Sequence, residues 1–320
     1  MSELVTFGET PLRLSAPDNQ RLSGADRADL HVDGEESNVA VAASCLGADA
    51  TWVSRLPDTP VGRRIQTELR GHGVETDVTW ADEGRVGLVY HEAGAAPRPV
   101  GRWHDRADTA AARTTPGDIP MDRVQGADVV FSGLGTPALS EAAAESTEAM
   151  LRAGGGGGGV AAVDIDYDPA RHDPDFLGQL LRRLLERVDV VFANEDDARA
   201  VLDVSGKPRE LANTIVAEHE LDMAVITRSE YGAVLMQDTP GTNVIHERDT
   251  VQSQTVDPTG TREAFVGGFL AQLAATDDAA AALTYGVATA ALARTVPGPL
   301  LTATPAEIDA VAARVRETAR

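Results

Sequence analysis

Three hundred and twenty residues suffice for one large α/β domain with a sizeable buried core. Apolar residues make up 42% of the chain and aromatics only 4%, so the core must come mainly from Val, Leu, Ile and Ala, as in strands covered by helices. Fifty acidic residues against 28 basic ones give a formal charge of −22, which argues against nucleic acid or an anionic membrane surface as partner. Lys207 is the only lysine, and a dense acidic surface of this kind is a halophilic trait, since salt screens the self-repulsion.

In chain order, buried strands are predicted at Val5 to Gly8, Thr51 to Ser54, Val129 to Ser132, Val160 to Ile165, Val188 to Ala193 and Met223 to Thr227. Each is short, apolar and bounded by turn residues. Between them the 3.6-residue pattern predicts helices over Glu36 to Leu46, Pro60 to His72, Ser140 to Ala153, Asp175 to Val188 and Pro208 to Glu220. Strand, helix, strand at this spacing implies crossover units and a mostly parallel sheet with helices on both faces, in a single domain over 1–320. Two stretches, Leu12 to Asp33 and Arg85 to Arg106, alternate without a long helix. They predict antiparallel strands forming a small β-stranded lid over one edge of the domain, suited to excluding water from a reaction.

The six glycines from Gly154 to Gly159 read as a flexible surface connection, because no Lys-Ser/Thr follows and a strand comes next. Cys45 lies in an apolar run and reads as a buried, inert thiol. No stretch approaches the roughly 20 apolar residues of a membrane span, and the opening residues lack a signal-peptide pattern, so the expected location is cytoplasmic. The seven histidines show no zinc-type spacing.

The segment Val256 to Leu270 carries the chemistry. A turn with Pro258 and Gly260 delivers backbone N–H groups to a helix N-terminus, a ready anion site, and Glu263 sets a carboxylate in that helix's first turn. An anion cradle beside a carboxylate is what phosphoryl transfer to an alcohol needs, although an ordinary acidic helix start has the same spacing. The segment resembles the D-T/P-x-G-A-G-D-x-F signature of the ribokinase-like (PfkB) carbohydrate kinases. Other stretches agree in order: Asp33 to Ala40 resembles the family's Gly-rich substrate turn, Pro57-Asp58 with Val61-Gly62 its V-G-x-D-x-x-G segment, and Asn194 to Asp197 its N-x-x-E element. Within the family the 2-keto-3-deoxygluconate kinases look most similar, through Gly8 to Leu12, Tyr90 and Arg106.

The resemblance implies a ribokinase-like fold, ATP and Mg²⁺ as cofactors, and a small-molecule sugar or sugar acid as substrate. It implies catalytic roles for Gly260, Arg262 and Glu263, with Glu263 as base. It places Gly34, Asn38, Tyr90, Arg106 and Asp168 at the sugar, with Arg106 facing a carboxylate. It places Asn194, Thr227, Ser229, Gly232, Asp257 and Gly260 at the nucleotide, and Asp197 near the metal. Lid-strand edges make a homodimer or higher homo-oligomer an expectation.

The sequence departs from the family at the chemistry. G-A-G-D reads Gly260-Thr261-Arg262-Glu263, so the base moves by one methylene and Arg262 replaces a glycine. The Arg262 side chain would either obstruct phosphate approach or lie on the phosphate itself. Asp168 stands where the kinase carries a second arginine, and Ser229 stands for a turn glycine. Three readings follow: a keto-deoxy sugar-acid kinase, a kinase of a neutral sugar, and a non-catalytic sugar- or nucleotide-binding paralogue.

Overall fold

The computed structural model describes residues 2–94, 97–228 and 231–318. The chain begins with β1 (Glu3–Phe7), β2 (Leu12–Ser15), β3 (Asp29–Val32), α1 (Glu35–Cys45), β4 (Asp49–Pro57), α2 (Pro60–Gly71) and β5 (Glu75–Ala81). It continues through β6 (Leu88–Glu92), β7 (Gly101–Asp105), α3 (Met121–Gly126), β8 (Val129–Gly133), α4 (Glu141–Gly156), β9 (Val160–Ile165) and α5 (Pro174–Leu185). Then come β10 (Val190–Asn194), α6 (Glu195–Leu202), α7 (Pro208–His219), β11 (Met223–Thr227), β12 (Ala233–Thr239) and β13 (Thr242–Arg248). Helices α8 (Thr261–Thr276), α9 (Ala279–Ala293) and α10 (Pro305–Thr318) close it.

A nine-stranded sheet runs β13-β12-β11-β10-β9-β8-β1-β4-β5. It is parallel from β5 to β11, and β12 and β13 add an antiparallel edge that no predicted strand covered. The pleat sorts each strand's side chains onto two cores. Leu4, Phe131 and Phe192 face α1, α8 and α9, while Val5, Val130 and Val191 face α4, α5 and α7. Both faces are therefore covered, as the continuous apolar runs required. Helix starts are specified locally: the side chains of Ser140, Asp173, Asn194 and Asp278 each accept from a first-turn amide.

Helix α8 is fixed to the sheet by aromatic packing. Phe192 of β10 meets Phe269 edge-on with centroids 5.2 Å apart, and Phe265 at 6.4 Å. Gly267 and Gly268 let α8 approach α1 and α9 closely: a Cβ on Gly267 would lie 2.4 Å from the Val39 carbonyl, and one on Gly268 2.3 Å from Thr289 Oγ1. The helix whose N-terminus reaches the site thus sits in a tight, specific position.

Two expectations need correction. The lid is a four-stranded sheet, β3-β2-β6-β7, with antiparallel outer pairs, but its central pair β2·β6 is parallel. The chain leaves the lid after β3 to build α1, β4, α2 and β5, then re-enters in the same direction, so a hairpin cannot join β2 to β6. Gly154 to Gly156 extend α4 instead of forming a connection, and only Gly157 to Gly159 turn. Gly154 packs against Val130, where a Cβ would come within 2.5 Å, so tertiary contact holds the helix through residues of poor propensity. Cys45 is half-buried, with Sγ 3.5 Å from the Leu301 carbonyl, and burial raises its thiol pKa. Among the described residues no helix is long and apolar enough to cross a membrane.

Overpacking the α8 contact gives a direct test. Gly267→Ala is expected to cost about 1–3 kcal/mol in urea unfolding. Gly71→Ala, whose Cβ would meet nothing within 4 Å, should be neutral or stabilising by less than about 1 kcal/mol.

Candidate active site

The C-terminal ends of the parallel strands converge with the N-terminus of α8, the usual place for a ligand in an open α/β sheet. Two cavities meet there, and Arg102, Asp166 and Glu263 line both. The outer one is walled by Asn194 and Thr227 at the ends of β10 and β11, by Gly232, and by the turn and first residues of α8. The inner one lies under the lid, between Glu9 after β1, Asp33 and Gly34 before α1, and Arg106 and Arg171.

The turn into α8 is built for close approach. Gly260 takes φ 75° in the left-handed region, and a Cβ there would meet the Pro299 carbonyl at 2.0 Å, so only glycine fits. Asp257 holds the turn by accepting from the amides of Thr259 (2.9 Å) and Gly298 (3.0 Å) and does not line either cavity. The unpaired amides at the start of this 16-residue helix face the outer cavity with the helix dipole behind them. Gly232, at φ 98°, closes the opposite wall; its neighbour Ser229 lies outside the described residues.

Glu263 stands at the junction. Burial, and then the charges of Asp33 and Asp166, push its carboxyl up to about 7. A carboxylate poised near neutrality is matched to taking a hydroxyl proton.

Arg262 follows neither alternative read from the sequence. Its guanidinium turns onto Asp164 through Nε (2.6 Å) and Nη2, reaches the Ile165 carbonyl, and bonds Asp197 through Nη1 at 2.6 Å. Asp197 also accepts from Asn194 Nδ2 at 2.8 Å. Both of its partners are thus protein groups, and among the described residues no cluster of three ligand-type side chains is suited to a metal.

The inner pocket differs from expectation in three places. Tyr90 does not reach it. Tyr90 pairs with Trp103 in β7 and both are exposed, whereas Val89 and, from β7, Arg102 and His104 point inward. Strand alternation puts Tyr90 on the outer face of the lid. Asn38 stays behind the wall and donates to Asp33 Oδ1 at 3.0 Å, orienting a carboxylate that does line the pocket. Asp168 also lies off the pocket: its Oδ2 sits 3.7 Å from Arg171 Nε and 3.3 Å from His104 Nε2. Burial holds the His104 imidazole neutral, pushed down to about 4, so Arg171 supplies the positive charge.

Arg171 itself lines the pocket and donates to Asp166 Oδ2 at 3.2 Å. It is the second cation, three positions beyond where sequence comparison looked for it. Arg106 lines the pocket as expected and is paired with buried Glu9. Glu36 accepts from the Gly133 amide at 3.1 Å, and burial pushes its carboxyl up to about 7. Glu9, Asp33 and Glu36 lie in stretches that carry the family resemblance, which gives them no role of their own, and Arg102 and Arg171 lie outside those stretches. The inward phase of Arg106, one residue beyond β7, carried a signal for Arg102, two strand repeats away. Arg171 had none, since loop geometry places it.

The profile of the pfkB family carbohydrate kinases matches residues 1–306. This chain belongs to that family. It is 43% identical to the 2-dehydro-3-deoxygalactonokinase of Haloferax volcanii over 310 residues, covering 97% of this chain and 96% of the relative. It is 30% identical to the 2-dehydro-3-deoxygluconokinase of Thermoproteus tenax, covering 93% and 90% of the two chains. The crystal structure of 2-dehydro-3-deoxygluconokinase from Thermotoga maritima superposes with a TM-score of 0.88 at 27% identity over 98% of each chain. The fold is ribokinase-like, and the chain is a kinase-type phosphotransferase acting on a sugar or sugar acid.

With Glu263 as base, kcat should rise with pH through about 7, because the carboxylate form is the active one. Glu263→Gln should remove that limb and reduce turnover by at least about a hundredfold while leaving nucleotide affinity near wild type. Full turnover in that variant would exclude Glu263 as base.

Proposed function

We propose that this kinase transfers the γ-phosphoryl group of ATP to a hydroxyl of a 2-keto-3-deoxy sugar acid. The observation that carries the reading is the placing of three guanidinium groups, Arg102, Arg106 and Arg171, around the inner pocket beside Glu263. The pocket also holds six carboxyl groups, so the argument is one of geometry and not of net charge: a substrate carboxylate matches the planar fork of arginine, and three such forks reach one confined site. The relatives above, a 2-dehydro-3-deoxygalactonokinase and a 2-dehydro-3-deoxygluconokinase, support it.

The inner pocket would hold the sugar acid, with Asp33 and Glu36 accepting from its hydroxyls and the arginines taking its carboxylate. The outer cavity would hold the nucleotide, its terminal phosphate against the amides of α8. Glu263 accepts the hydroxyl proton as the sugar oxygen bonds to phosphorus and the bond from phosphorus to the ADP oxygen breaks. The α8 amides and Arg102 stabilise the charge on the moving group. Mg²⁺ would arrive on the nucleotide phosphates and neutralise their oxygens, and Asp166, a half-exposed carboxylate on the outer wall, is the side chain suited to meet it.

The neutral-sugar reading rested on Asp168 facing the substrate, and Asp168 is instead beside Arg171 and outside the pocket. The binding-protein reading rested on Arg262 spoiling the anion cradle, and its side chain is turned away onto Asp164 and Asp197.

An ADP-release assay in concentrated KCl across keto-deoxy sugar acids and neutral hexoses tests the proposal. Turnover confined to neutral sugars would overturn it. Arg106→Ala and Arg171→Ala should each raise KM for the sugar acid by about 10- to 100-fold, the worth of a charge-assisted hydrogen bond. Equal losses on acid and neutral substrates would count against a carboxylate contact.

A further inference from the structure

The side chain of Arg262 does something that neither anion binding nor proton transfer explains. Asp164 at the end of β9 and Asp197 in the first turn of α6 have side chains only 1% and 6% exposed. Asp166 follows two residues after Asp164 and opens onto both cavities. Asp164 and Asp197 line neither cavity, but both bond Arg262, which lines the outer one, where a polyphosphate would bind. Uncompensated, they would repel it or draw in a divalent cation of their own.

The guanidinium takes both oxygens of Asp164 as a fork and Asp197 with a third nitrogen, while Nη2 also reaches the Ile165 carbonyl. Four hydrogen bonds to three acceptors leave a single N–H of the five unassigned. The pair is therefore satisfied by a cation that the chain itself supplies. The backbone of the same residue belongs to the first turn of α8, so one position contributes an amide to the anion cradle and a charge to the ground behind it.

We propose that Arg262 is a built-in cation that occupies the space between Asp164 and Asp197 where a protein-bound divalent ion would otherwise sit, so that the kinase takes up Mg²⁺ only with its nucleotide. In this role the Arg262 side chain is a positioning group, while the residue's backbone amide belongs to the cradle. The inference rests on the outer cavity being the nucleotide site, as proposed above, but its test needs no turnover.

Mn²⁺ binding without nucleotide, followed by electron paramagnetic resonance in concentrated KCl to suppress surface carboxylates, reads it directly. The wild type should hold no ion at this position, so that Asp197→Asn leaves its Mn²⁺ isotherm unchanged. Arg262→Gln, which keeps hydrogen-bonding capacity but loses the charge, and Arg262→Gly should each gain one equivalent bound at least about tenfold more tightly than any wild-type site, a change of about 1.4 kcal/mol. Adding Asp164→Asn to Arg262→Gln should abolish the gain. A variant that folds only when Mn²⁺ is present counts as the same gain, read as a rise in melting temperature with Mn²⁺. Two results would overturn the proposal: a wild-type Mn²⁺ site that Asp197→Asn removes, or folded Arg262 variants that bind no more Mn²⁺ than wild type. A failure of the sugar-acid reading would leave these isotherms unaffected.

Discussion

Everything at this active site depends on keeping acidic groups together at the ends of buried strands. Asp33, Glu35, Glu36, Asp164, Asp166, Asp197 and Glu263 converge where β1, β8, β9 and β10 end and α8 begins. Burial raises the pKa of Glu35, Glu36, Asp164, Asp197 and Glu263, so the arrangement holds only if cations are placed among them. Arginine is the cation used throughout: Arg13 with Asp33, Arg106 with Glu9, Arg171 with Asp166, and Arg262 with Asp164 and Asp197. Its weak hydration and fixed fork suit it to partly buried pairs better than lysine would be.

The fold explains why these pairs can be so close. Most of these groups come from the end of a strand, the start of a helix or the inner face of the lid, and Arg171 comes from the loop between β9 and α5. The strands are held by two continuous cores, and α8 is locked by Phe192, Phe265, Phe269 and the two glycines against α1 and α9. A cradle made of backbone amides needs that rigidity, because a shift of about 1 Å is enough to weaken catalysis. The lid adds Arg102 and His104 from alternate positions of β7 by its pleat, and Arg106, one residue beyond the strand, is held at the pocket by Glu9.

The departures that looked like damage in the sequence are compensated in space. Arg262 in place of a glycine lines the outer cavity, but its guanidinium is engaged by two aspartates. Asp168 in place of an arginine does not remove the second cation, because Arg171 returns to the pocket from the next turn and Asp168 lies beside it.

The sequence alone determined the alternation of strands and helices, the existence of a lid, the glycine turn into α8 and the carboxylate in its first turn. These rest on local rules: apolar periodicity, turn chemistry and the unpaired amides of a helix end. It could not determine which face of a lid strand Tyr90 occupies, because that depends on register with Trp103 across the sheet. Nor could it place Arg171 or turn Arg262 away from the phosphate site. The buried carboxylates that hold Arg262 lie 65 and 98 residues away along the chain, and the loop after β9 is what brings Arg171 back to Asp166. Local pattern fixed the scaffold; the partners of its charges were decided by distances that exist only after the sheet has closed.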